Sequence, residues 1–224
     1  MSLRKIINAV LFDLDGTLID INIDAFVKNY VLLLSNHVKD YVPPNKFIPR
    51  LMKVSKRVEE NDGSDTNENV FADYFFPLEG YLREDLEPIF DEFYENEFPK
   101  LKKFAKIKSE ARSTVEKAFN EGYKVVIATT PVLPEVAIKQ RLEWAGVSDF
   151  DFDLITSFEH VSATKPNLLY YKEISQIINV PLEKCIMVGD EDKDMVAANL
   201  GCKTFLISWI GSSRLLLISF FDTL

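Results

Sequence analysis

Cysteine is nearly absent from this chain of 224 residues: only Cys185 and Cys202 occur, both in apolar segments. Two such cysteines make neither a disulfide framework nor a zinc-ligand spacing, so a reducing, cytoplasmic setting is the expectation. Positive charge is also scarce. Lys and Arg number 26 against 35 Asp and Glu, for a formal net charge of −9. A nucleic-acid footprint needs a basic face, so nucleic acid is not an expected partner. An anionic small molecule stays open, because one lysine and a metal reverse the field inside a cleft. Long apolar runs are missing too. The tract 205–221 is broken by Ser208, Gly211, Ser212, Ser213 and Arg214, too polar to cross a bilayer, and no membrane partner is expected. Residues Ile6 to Phe12 are too short a run before the following acids to be a signal peptide. Internal repeats and low-complexity tracts are absent as well.

The apolar content of 47% is ordinary for a globular chain, and the length suits one domain or a core carrying a large insertion. Short β-branched runs recur at 7–12, 124–128, 153–156, 185–188 and 203–207. Runs this apolar suit strands buried on both faces. Between them the pattern predicts helices: one from Ser109 to Gly122, one over Pro134–Ala145 stopped by Gly146, one after Pro166 to Ile178, and one from Asp192 to Leu200 stopped by Gly201. Strand and helix alternating in this way give an α/β fold with a doubly wound parallel sheet. Residues 20–105 break the rhythm with helical stretches and no convincing strand, so they are expected to form a separate all-helical lobe.

In such a sheet, ligands bind outside the carboxyl ends of the strands. The first strand ends in Asp13-Leu14-Asp15-Gly16-Thr17 and the second in Thr129-Thr130-Pro131. The third leads to Thr164-Lys165-Pro166, and the fourth ends in Gly189-Asp190-Glu191-Asp192-Lys193-Asp194. Asp13 and Asp15 share a strand face, where two carboxylates resist joint ionisation unless a cation, a shared proton or solvent relieves them. Calcium loops are excluded by spacing: a sixth-position glycine and twelfth-position glutamate are required, but Asp13 is followed there by Leu18 and Asp24, and Asp190 by Met195 and Gly201.

These four stations, "DLDGT", "VVIATT", "TKP" and "GDEDKD", occur in order and together resemble the signature of the haloacid dehalogenase superfamily of phosphohydrolases. The resemblance implies a Rossmann-like core of residues 1–19 and 106–224, with a helical cap over 20–105. It implies a phosphatase acting on a small phosphorylated molecule, with Asp13 as nucleophile and Asp15 as general acid and base. Mg²⁺ would be held by Asp13, Asp190 and the main-chain carbonyl of Asp15. Thr129, the backbone near Thr130, and Lys165 would cradle the phosphoryl oxygens, with Asp194 orienting Lys165 or a metal-bound water. Two departures stand out. Thr130 replaces an asparagine common in the family, which puts its side-chain contact in question. Asp15 is lacking in the dehalogenating branch, so its presence favours phosphoryl transfer. A phosphomutase and a catalytically silent binding protein are the alternatives on the same scaffold.

The remaining features have plainer readings. The cap stretch with Lys46, Arg50, Lys53, Lys56 and Arg57 is expected to be a solvated helix face rather than a substrate contact. Loop 61–69, Tyr81 and Arg83 are candidates to line the cleft. Glu191 and Asp192 suit a solvated helix start, Asp20 a hinge into the cap, and His37 and His160 structural positions. The apolar end, residues 214–224, suits packing on the sheet or cap, or a subunit contact in a monomer or homodimer.

Overall fold

The computed structural model describes residues 7–207, so the apolar end at 214–224 lies outside the described residues. Five parallel strands form the central sheet: β1 (Ala9–Phe12), β4 (Lys124–Ile127), β5 (Leu154–Ile155), β6 (Cys185–Gly189) and β7 (Lys203–Leu206), in the order β5-β4-β1-β6-β7. All five coincide with the expected runs; four are trimmed by a residue or two, and β6 extends one residue further, to Gly189. β1 is central and wholly buried. Alternation splits its side chains between two layers. Val10 and Phe12 join one core cluster, while Ala9 and Leu11 join the other.

The strands β2 (Ile19–Ile21) and β3 (Ala105–Ile107) were not expected. They pair antiparallel, Ile19 with Ile107 and Ile21 with Ala105. Three residues each, with Asp20 and Lys106 opposite one another, are too few for periodicity to reveal. The ribbon sits at both ends of the helical segment and straddles the boundary expected at residues 19 and 106, with Asp20 in its middle.

Between those strands the chain forms α1 (Ile23–His37), α2 (Pro44–Glu59), α3 (Asn67–Phe75), α4 (Arg83–Asn96) and a 3₁₀ stretch, Phe98–Phe104. Its core is aromatic: Phe47, Phe75, Phe93 and Phe98 are fully buried, and Phe26 and Phe98 meet Trp144 of the following region edge-on and stacked. The rest of the chain supplies α5 (Ala111–Asn120), α6 (Glu135–Ala145), α7 (Leu168–Ile177) and α8 (Asp192–Met195). Residues of α5 and α6 pack on the Val10 face, and those of α7 on the Ala9 face. Gly146 ends α6 in the left-handed region at φ 74°, the conformation that makes glycine the common residue just past a helix. The helix expected over 192–200 is only partly α: it tightens to 3₁₀ from Val196 to Leu200. The Tyr171 hydroxyl donates to the carbonyls of Lys193 (2.9 Å) and Asp194 (3.3 Å), which competes with the regular helical bonds there.

The polar loop before α3 is a docking element. Asn67 is fully buried, and its Nδ2 donates to the carbonyls of Pro131 (3.2 Å) and Ala163 (3.3 Å). Its Oδ1 accepts from Asn61 Nδ2 at 2.8 Å. Backbone bonds from Asn67 to Val161 and from Glu68 to Phe158 complete the seam. Replacing Asn67 by Ala strands two buried carbonyls, so Asn67→Ala is expected to lower stability by about 1–3 kcal/mol. Equilibrium urea unfolding measures it; an unchanged midpoint would show that the seam carries no weight.

Candidate active site

Asp13 is placed by the sheet itself, because its N–H donates to Val188 of β6 at 2.9 Å just beyond the end of β1. The chain then turns sharply: the N–H groups of Thr17, Leu18 and Ile19 converge on the Leu14 carbonyl at 3.3, 2.9 and 3.0 Å. Gly16 holds the turn at φ 78°, and a Cβ there would lie 1.9 Å from Asp190 Oδ2. Both facts demand glycine at this position. The Thr17 hydroxyl sits 3.1 Å from Asp13 Oδ2 and 3.4 Å from Asp190 Oδ1, joining the first and fourth stations.

Lys165 closes the arrangement from the third. Its side chain is fully buried, with Nζ 2.6 Å from Asp13 Oδ1 and 2.5 Å from Asp194 Oδ1. Burial opposes its charge, but Asp13 and Asp194 outweigh that and hold its pKa above the ordinary lysine range. Asp194 is equally buried, and its Oδ2 accepts from the Glu191 N–H at 3.2 Å. Asp190 has less support. Burial first, then Asp13 and Asp194, push its carboxyl up to about 6. Oxygens of Asp13, Asp190 and Asp194 lie within 4.8 Å of one another, a cluster of the kind that holds a metal ion. Asp194 is already committed to Lys165 and Glu191, so Asp13 and Asp190 are the pair that a hard cation fits.

The second station faces the same place. Thr129 is buried, and its carbonyl accepts from the hydroxyls of Thr156 and Tyr170, each at 2.9 Å. Thr129 and Thr130 both line a cavity of about 760 Å³ whose floor includes Asp13, Asp15 and Asp190. The structure thus brings together every predicted station residue, Thr130 included.

Three side chains were missed by sequence reasoning. Arg141 of α6 is only 3% exposed and pairs through Nη2 with Asp15 Oδ2. Of the three ways the spacing leaves open to relieve Asp15, the structure supplies a cation, the Arg141 guanidinium on one of its oxygens. Burial lowers the Arg141 pKa to about 10, with Asp13 opposing, so the guanidinium stays charged near neutrality. Asp15 Oδ1 and Arg141 Nε are both buried with no partner. Lys108, after β3, donates to the Gly16 carbonyl. Burial lowers its pKa against the pull of Asp190, Asp20 and Asp13. The third is the docking role of Asn67, which falls within the 61–69 stretch expected to line the cleft; of that stretch, Glu68 alone lines this cavity. None of the three stands in a recognisable local motif; Arg141 looks like any polar position of a helix.

The plainer readings largely hold. Arg50 donates to the Phe75 and Pro77 carbonyls, Lys46 pairs with Glu79 and Lys56 with Glu60, and Arg57 lies over Tyr74. None of those basic residues lines the cavity; α2 turns Phe47, Leu51, Met52 and Ser55 toward it instead. Arg83 does line it, paired with Glu68 and Glu87, whereas Tyr81 packs on Tyr41. His37 bonds the Ile89 carbonyl and packs on Phe93, while His160 bonds the Ile155 carbonyl.

Comparison with known proteins agrees with this fold. Residues 7–200 match the family model described as haloacid dehalogenase-like hydrolase. Pyrophosphatase PpaX of Bacillus cereus (strain Q1) is 26% identical over 212 residues, covering 93% of this chain and 86% of that protein. A HAD phosphatase from Thermococcus onnurineus superposes with a TM-score of 0.56 at 18% identity, over 93% of this chain and 90% of that one. L-2-haloacid dehalogenase from Xanthobacter autotrophicus gives 0.53 at 16% identity, over 92% and 79%. At these identities the solved structures share the fold.

Proposed function

This chain belongs to the haloacid dehalogenase-like hydrolases, and on that premise we propose that it is a Mg²⁺-dependent phosphatase of small organic phosphate monoesters. The observation that carries the reading is Asp13: a buried carboxylate gripped by Lys165 on one oxygen and Thr17 on the other, beside Asp190, at the floor of a cavity. Residues 20–105 serve as the cap over a core of 1–19 and 106–224, hinged at the β2–β3 ribbon. The PpaX relatives are named for pyrophosphate, which makes a second phosphoryl group the competing leaving group to test.

Asp13 and Asp190, with the Asp15 carbonyl, would hold the cation; their mutual crowding and Asp190's raised pKa fit an added positive charge. When bound, Mg²⁺ neutralises phosphoryl oxygens and lets an anionic nucleophile approach an anionic substrate. The Asp13 carboxylate attacks phosphorus, and the ester P–O bond breaks as Asp15 gives its proton to the departing oxygen. Water then gives a proton to Asp15 and attacks the same phosphorus, and the bond to Asp13 breaks, releasing phosphate. Lys165 balances charge on Asp13 throughout, held in place by Asp194. Thr129 and the backbone at Thr130 receive the phosphoryl oxygens.

Arg141 assigns the two Asp15 oxygens different work. Its guanidinium fixes Oδ2, leaving Oδ1, without a partner, to exchange the proton. Arg141→Met is expected to lower kcat by roughly 10²-fold with little change in KM, the size of an acid–base contribution. Arg141→Lys should recover part of it; full activity in both variants would leave Arg141 a structural residue only.

A cytoplasmic setting belongs to the same proposal and is supported by Cys185 and Cys202, both free and buried. Among the described residues, no helix is long and apolar enough to cross a membrane. The direct test is a phosphate-release screen with Mg²⁺ across aryl and alkyl phosphates, sugar phosphates, nucleotides, phosphorylated acids and pyrophosphate. Turnover that needs the metal is expected on at least one class; no release from any of them would contradict the proposal.

A further inference from the structure

The cavity above the carboxylates is far larger than a phosphoryl group needs. Its volume of about 760 Å³ is of the size that takes a whole small organic molecule. Its walls include Phe26, Tyr30, Phe71, Phe76, Phe90 and Tyr94. Ile23, Val27, Met52 and Val136 line it as well, large apolar side chains left 44–52% exposed. Apolar surface kept in contact with water is costly, and exposed apolar residues lining a cavity mark a site for an apolar ligand.

The charges exclude the alternative. Among the described residues, the cations lining this cavity are Arg83, Arg141 and Lys193, and each is already paired: with Glu68 and Glu87, with Asp15, and with Glu191. Glu59, Asp91 and Glu159 add further negative charge to the walls. A second phosphate or a carboxylate on the leaving group would meet acids and aromatic faces, with no uncommitted cation among those lining residues.

We propose that the alcohol half of the substrate is a bulky apolar group, best aromatic, carrying no second anionic group. This rests on the phosphatase reading and narrows its substrate class to hydrophobic phosphate monoesters. Aryl rings would stack or meet edge-on with the wall aromatics, while the phosphoryl end reaches Asp13.

The test compares kcat/KM with Mg²⁺ for four probes: 2-phenylethyl phosphate, ethyl phosphate, phosphoglycolate and inorganic pyrophosphate. The two alkyl esters are both primary-alcohol esters, so their ratio reports the cavity rather than the chemistry. 2-Phenylethyl phosphate is expected to exceed ethyl phosphate by about tenfold or more, with phosphoglycolate and pyrophosphate below it. Phe71→Ala, at a half-buried wall position, should pull the ratio of the two esters toward one. A wild-type ratio near one, or faster hydrolysis of either doubly anionic probe, overturns this inference and leaves the phosphatase reading standing. If none of the four is hydrolysed, the broader phosphate-release screen judges the phosphatase reading, and calorimetry of 2-phenylethylphosphonate against ethylphosphonate decides the cavity's preference. Tighter binding of the former by about tenfold or more supports it, and equal binding overturns it.

Discussion

Asp13→Asn is expected to lower turnover by at least ~10⁴-fold while leaving the fold intact, because an amide of the same shape is a poor nucleophile. The prediction is specific to this position. Asp13 lies at the end of the central strand, its N–H tied to β6, so the substitution changes charge and not placement. Lys165 keeps Asp194 as its partner in the variant, and the amide still accepts from Lys165 or Thr17. Thermal unfolding is therefore expected to stay close to that of wild type. Loss of activity together with loss of folding would instead make Asp13 a structural residue.

Lys165→Met is expected to do the opposite kind of damage. The ammonium is a positive charge shared by Asp13 and Asp194, and all three side chains are at most 7% exposed. Removing one partner of such a buried group leaves carboxylates facing each other without compensation, a loss of about 3–5 kcal/mol. For a chain of this size that is roughly 6–20 °C in Tm. The sign with pH follows from the lysine. Its pKa is raised in the folded state, so its contribution is complete below the ordinary value of 10.5 and is lost only as pH climbs through the folded value. The gap between wild type and variant is thus widest across neutral pH. Adding Asp194→Asn to Lys165→Met should restore part of the stability, since one of the stranded charges is gone, but none of the activity. A Tm shift below about 3 °C would mean that the buried triad contributes little.

The parts of this molecule that were legible in sequence are those whose signal is local. β1, β4 and β6 are short runs of apolar residues, and burial on both faces forces that pattern on them. Gly16 and Gly146 announce themselves because their left-handed backbone favours glycine. The four stations were readable because each follows a strand at its carboxyl end, where the fold concentrates chemistry. What stayed hidden depends on contacts made across long stretches of chain. Arg141 lies 126 residues from Asp15, and its guanidinium sits over the Phe26 ring, contributed by a distant part of the chain. Asn67 reads as loop filler until the Pro131 and Ala163 carbonyls are seen beneath it. The β2–β3 ribbon, three residues a side, has no periodicity of its own to detect. Tyr171 draws on two carbonyls of α8, and no propensity of the 192–200 segment foretells the 3₁₀ turn that follows.

The central claim is that Asp13 forms a bond to phosphorus. Rapid acid quench during turnover with Mg²⁺ and a hydrolysed monoester, followed by peptide mass spectrometry, tests it most directly. One phosphoryl group on the peptide containing Asp13, absent from Asp13→Asn, is the predicted result. Full turnover with no phosphoryl group on that peptide, or with the group on another residue, would contradict it.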